Sequence, residues 1–140
     1  MRLSEAEARG RLAGARVLRL ATADAEGAPH LVPATFVLHQ DTLVTAVDHK
    51  PKRHHDLRRL RNIAQNPRVC ALVDEYAEDW TRLWWVRADG RARLLDGEAS
   101  GSAALLDRLV AKYPQYARRR PEGPVVAITV TRVTGWAYGP

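Results

Sequence analysis

The chain carries a single cysteine, Cys70, in 140 residues. One thiol excludes an internal disulfide framework and any cysteine-rich metal cluster. Its setting in "RVCALV" reads as a small buried hydrophobe on a strand. No apolar run approaches the roughly 20 residues that a membrane helix needs, and "MRLSEAEARGRL" at the start lacks the apolar segment of a secretory signal. The expectation is therefore a cytoplasmic protein without a membrane partner. Histidines are few and badly placed for metal: His54 and His55 are adjacent, so on a helix they diverge by about 100°, and His30, His39 and His49 are scattered. A Gly-x-Ser-x-Gly elbow, a P-loop and a dinucleotide-binding glycine pattern are also missing. Enzymatic chemistry, if present, then falls to a bound cofactor.

What the chain does have is the length of one ordinary domain, residues 1–140, with enough apolar sequence for a core (46%). "SEAE" at Ser4–Glu7 fits a capping box that opens a short helix ending near Gly14. "ARVLRLATADAEGAPHLVPATFVLH" reads as two strands, Arg16 to Thr22 and Pro29 to His39, joined by a turn at Glu26-Gly27. "DTLVTAVD" is a third strand. Leu57, Leu60, Ile63 and Ala64 recur at helical spacing, and Pro67 closes that helix. Strands follow in "RVCALVDEY" and "TRLWWVRADGRARLLDG", with Asp89-Gly90 a turn or a bulge. A helix from about Ser102 carries Leu105, Leu106, Leu109 and Val110. "PQYARRRPEGP" reads as a polar loop, and "VVAITVTRVTGWAYG" as a closing strand. The pattern predicts a mainly β protein, about six strands with two or three helices, closed into an antiparallel barrel, with an open antiparallel α+β sandwich as the alternative.

Charge is unevenly spread. Net charge is +6, and between Lys50 and Arg68 seven basic residues face one acid, Asp56. Lys50 and Lys52 flank the stiff Pro51 and point the same way in an extended segment. Arg53 follows at the entrance to a helix, whose first amides are themselves an anion site. Arg58, Arg59 and Arg61 continue along the helix, where a solvated charged face is the simpler reading. The cluster lacks interleaved aromatics and any nucleic-acid-binding signature, so nucleic acid is not the expected partner. A phosphorylated or carboxylated small molecule is.

The order of "PHLVPATFVL", "TLVTAVDHKPK", an arginine-rich helix, "NIAQNPRVCALVD" and "LWWVRADGRARLL" resembles the pyridoxamine 5′-phosphate oxidase-like split barrels over Val17 to Tyr138. It is most similar to their deazaflavin (coenzyme F420)-dependent branch. The resemblance makes the barrel a split antiparallel β-barrel and implies a homodimeric oxidoreductase that passes a hydride between F420 and an electron-poor small molecule. The alternatives are FMN as cofactor, or a carrier of flavin, deazaflavin or haem without turnover. By resemblance, Lys52, with Lys50 and Arg53, falls at the cofactor phosphate, with Arg59 as the other candidate cation. Pro33, Ala34, Thr35 and Thr45 match positions lining the ring and ribityl chain. Trp85 and Arg87 match a strand reaching in from the other subunit, and Trp136 matches a C-terminal aromatic near the site. The arginine and histidine that the oxidase itself uses for pyridoxal phosphate are not recognisable, so that activity is not implied. No catalytic acid or base and no metal ligand is assigned.

Overall fold

A computed structural model describes residues 1–47, 57–96 and 101–139. The elements run α1 (Glu5–Gly14), β1 (Leu18–Ala23), β2 (Pro29–Ala34), β3 (Val37–His39), β4 (Thr42–Ala46), α2 (Arg58–Gln65), β5 (Arg68–Glu75), β6 (Trp84–Leu95), α3 (Ser102–Lys112), α4 (Pro114–Arg118) and β7 (Val125–Ala137). All strands join one antiparallel sheet in the order β2-β1-β5-β6-β7-β4-β3. The sheet curls into a half-barrel, the split-barrel architecture expected.

Seven strands and four helices stand where about six and two or three were expected, for two local reasons. The stretch Pro29–His39 is not one strand: it breaks at Thr35–Phe36, and its halves lie on opposite edges of the sheet. The polar stretch after α3 opens with α4 rather than a loop, with Pro114 in its first turn, where a missing N–H costs nothing. The capping box is present: Glu7 N donates to Ser4 Oγ (3.1 Å) and Ser4 N to Glu7 Oε1 (3.3 Å).

Burial alternates along β6, where Val86, Ala88, Gly90 and Ala92 face inward. They meet Leu18 and Leu20 of β1, Val69, Ala71 and Val73 of β5, Leu12 of α1, and Leu60 and Ile63 of α2 in one core. A second cluster joins Val44, Ala46 and Val125 to Leu106, Leu109 and Tyr113. Strand β4 is thus covered on both faces, which is why "LVTAV" is a continuous apolar run rather than an alternating one.

The bulge expected at Asp89-Gly90 exists, but its extra residue is on β7. Asp89 pairs with Arg132 and Gly90 with Val130, so Thr131 is unpaired and donates its hydroxyl to Asp89 O (3.1 Å). Gly90 is required there because a Cβ would lie 2.5 Å from Thr129 O. Gly90→Ala should lower stability by about 1–3 kcal/mol through this clash. Gly10→Ala, in α1 with open space around it, should gain up to about 1 kcal/mol. Urea denaturation of both variants checks the contrast.

Candidate functional site

Helix α2 is sewn to the β1–β2 corner by polar contacts at its C-terminal half. Asn62, 1% exposed, donates to Thr22 Oγ1 (3.0 Å); Gln65 Oε1 accepts from Ala25 N (3.0 Å); Asn66 Nδ2 reaches Asp24 O (3.4 Å). Asp24 Oδ1 in turn accepts from Glu26 N and Ala28 N, each at 2.9 Å, making the turn rigid. The sequence reading placed Ala64 in the apolar stripe, yet Ala64 is exposed and Asn62 is buried. A buried amide is tolerated because Thr22 partners it, and no helical periodicity reports a partner forty residues away.

With its far end fixed, α2 presents its first turn to the ends of β2 and β4. Val17, Pro33, Ala34, Thr35, Thr45, Ala46, Arg59 and Tyr116 enclose an open pocket of about 190 Å³ there. Five of them, Pro33, Ala34, Thr35, Thr45 and Arg59, are residues picked out in the sequence. The helix starts on Leu57, which has no side-chain acceptor, and carries no acid in its first turn. The positive end of the helix dipole lies on the same side as the Arg59 guanidinium.

Tyr116 closes the pocket's other side, with the buried Tyr113 packed behind it, and nothing in the sequence distinguished either from the remaining tyrosines. The Tyr116 hydroxyl lies 2.7 Å from Thr35 Oγ1. Its ring meets Tyr113 edge-on, centroids 5.7 Å apart. The Tyr113 hydroxyl accepts from Phe36 N (3.0 Å) and lies within donating distance of Phe36 O (2.9 Å) and Arg16 O (2.8 Å). Burial raises the Tyr113 pKa, keeping the phenol protonated. Beside it the Lys112 ammonium donates to Ala15 O (2.7 Å) and Ala13 O (3.3 Å) and sits 3.8 Å from the Phe36 ring centroid.

The remaining candidates are elsewhere. Lys50, Lys52 and Arg53 lie outside the described residues. Trp85, Arg87 and Trp136 do not line the pocket but occupy the outer face of the sheet, where Trp85 and Trp136 are cross-strand partners. Pro33, Arg19, Leu72, Arg87 and Thr134 form one directly paired row across β2, β1, β5, β6 and β7. Pro33 is thus common to the row and the pocket. A depression of about 410 Å³ on this face is lined by Arg19, Ala21, Leu31, Cys70, Leu72, Asp74 and Arg87. Leu31 is 65% exposed. Cys70, expected in the core, is half-buried here because β5 turns its inward positions to Val69, Ala71 and Val73, and burial followed by Asp89 raises its thiol pKa. Trp84, on the opposite side of β6, packs on the core beneath the Arg11 guanidinium (5.1 Å).

Comparison with known proteins agrees with the architecture. The chain belongs to the pyridoxamine 5′-phosphate oxidase family, whose pattern matches residues 4–137. Among solved structures it is similar to a FAD-binding protein of Mesorhizobium loti (25% identity, TM-score 0.73, 96% of this chain and 93% of that one). It is also similar to a haem-binding protein of Mycobacterium smegmatis (25%, 0.77, 100% and 57%) and to HutZ, the haem storage protein of Vibrio cholerae (20%, 0.74, 99% and 96%). No curated protein matches the chain. None of the described helices is long and apolar enough to cross a membrane.

The Lys112 contacts give a pH signature. Burial, then the neighbouring Arg16, pushes its pKa from 10.5 down to about 8. Between those values the unfolded chain holds the proton that the folded chain has released, so this group's contribution to stability rises with pH. Unfolding free energies at pH 7 and pH 9.5 should show the parent gaining about 1 kcal/mol relative to Lys112→Met, after allowance for solvent screening. A constant difference between the two proteins contradicts the assignment.

Proposed function

We propose that the chain is an F420-dependent oxidoreductase, working in the cytoplasm as a homodimer and acting on an electron-poor small molecule. The observation that carries this reading is the convergence of Pro33, Ala34, Thr35, Thr45 and Arg59 on one pocket. The residues fit the cofactor's chemistry. Apolar Val17, Pro33, Ala34 and Ala46 suit a flat ring, Thr35 and Thr45 suit hydroxyls of a polyol chain, and Arg59 with the α2 amides suits an anion. Lys50, Lys52 and Arg53 stand just before α2 in sequence, and so many cations in one stretch suit the phosphodiester and glutamate tail of F420 better than the shorter FMN.

Reduced deazaflavin, when bound, supplies a hydride from its C5 position. The chain's own part is to position and to bind charge. Arg59 holds an anionic oxygen, Thr35 and Thr45 orient the polyol, and the apolar wall excludes water from one ring face. Among the described lining residues there is no carboxylate or imidazole, and solvent serves as the source of a proton needed by the substrate.

Size and surface support a dimer. About 190 Å³ falls short of the roughly 300–1,000 Å³ of ordinary ligand sites, which suits a site that a second chain completes. The outer face, with exposed Leu31 and Leu72, begins at the pocket's own Pro33 and carries Arg87, Trp85 and Trp136. A second copy stacked on this face brings those three residues to the first copy's pocket. Carriage without turnover is the second reading, favoured by the missing acid and base. For haem it lacks a histidine ligand among the described pocket residues.

Titration with F420 and FMN separately should give tighter binding of F420; much tighter FMN binding contradicts the cofactor assignment. Lys52→Ala and Arg59→Ala should each weaken binding by about 1.5–3 kcal/mol with thermal midpoints unchanged, the scale of a charge-assisted hydrogen bond. On sedimentation, Leu72→Glu should shift the protein from dimer to monomer, because a buried unpaired charge opposes association. Dimers of that variant as tight as the parent's would place the interface on another face.

A further inference from the structure

We infer that Tyr116 is a positioning residue of the pocket: its hydroxyl donates to Thr35 and thereby turns the Thr35 hydroxyl into a donor toward the bound molecule. Resting on the cofactor site proposed above, this specifies which edge of the ligand meets this corner. Ligands that present an oxygen acceptor here, such as a polyol hydroxyl, a carbonyl or an anionic oxygen, are selected over ligands that present N–H groups.

The distance of 2.7 Å sets a hydrogen bond between the two hydroxyls, and acidity supplies its direction: a phenol is more acidic than an aliphatic alcohol and so the better donor. Thr35 Oγ1 then accepts, and its own O–H is left to donate. The one charged group among the described lining residues, Arg59, is a donor with no acceptor capacity. Thr35 and Arg59 therefore both call for oxygen acceptors, Thr45 can serve either way, and Val17, Pro33, Ala34 and Ala46 offer no side-chain acceptor.

The Tyr116 phenol is held in place to do this. Its ring lies edge-on to Tyr113 with planes at 65°, and Tyr113 is pinned by the backbone of Phe36. Thr35 and Phe36, adjacent in the break between β2 and β3, are thus gripped by two tyrosines three residues apart at the α3–α4 junction. A residue that merely filled space would need only the ring.

The test is a double-mutant cycle on the full chain, reading cofactor affinity by fluorescence titration with F420 and with FMN, and stability by thermal melting. Tyr116→Phe keeps the ring, and Thr35→Val keeps the shape. Each should raise the dissociation constant about 3–10-fold for the cofactor the parent binds, with the melting midpoint little changed. The double variant should be no worse than the weaker single variant, since both changes remove one interaction. Parental affinity in Tyr116→Phe, or effects that multiply in the double variant, overturns the inference while leaving the cofactor assignment standing. A parent that binds neither cofactor overturns both.

Discussion

The two backbone groups of Phe36 are the point on which the site depends. Phe36 sits in the break between the two edge strands of the sheet, fully buried, where buried N–H and C=O groups each need a partner. Tyr113 supplies the partner for both, and the Lys112 ammonium covers the ring. With Phe36 fixed, β2 and β3 separate at a set angle and Thr35 is left facing the pocket. Loss of this seam would free Thr35 and the end of β2 at the pocket, while β4 stays paired to β7 and the long β6–β7 pairing is untouched.

A second constraint acts from the other side. Asn62, Gln65 and Asn66 tie the C-terminal half of α2 to the β1–β2 corner, so its N-terminal turn is placed by contacts remote from the pocket. Arg59 is therefore delivered to the pocket by a rigid element, which suits a group that must meet an anion without paying much conformational entropy. The outer face obeys a separate logic: the strict two-residue period of β6 sends Trp84 to the core and Trp85 with Arg87 outward. This is why residues that resemblance assigns to one cofactor site lie on two surfaces of a single chain.

Much of this was legible in the sequence where the signal is local. The capping box at Ser4–Glu7, the turn at Gly27, and the end of α2 near Pro67 each depend on neighbours within a few residues. Of the pocket's lining, Pro33, Ala34, Thr35, Thr45 and Arg59 were picked out in the sequence through family resemblance. The break at Thr35–Phe36 was not, since "PATFVLH" keeps strand-like residues throughout and the partner that bends it is Tyr113, far along the chain. Asn62 and Tyr116 were missed for the same reason. Cys70 misled because a preference for burial cannot tell the inner from the outer face of a sheet. The α4 helix was missed although Pro114, a helix-starting signal, was visible.

The central claim is that each site joins the pocket of one chain to the outer face of another. Subunit mixing tests it most directly. Arg59→Ala and Arg87→Ala variants, each impaired alone, are mixed, dissociated, reassociated and titrated with F420. If the two residues come from different subunits, half of the dimers are mixed and each mixed dimer holds one intact site, so about a quarter of all sites should bind with parental affinity. A mixture that binds no better than either variant alone would contradict the account.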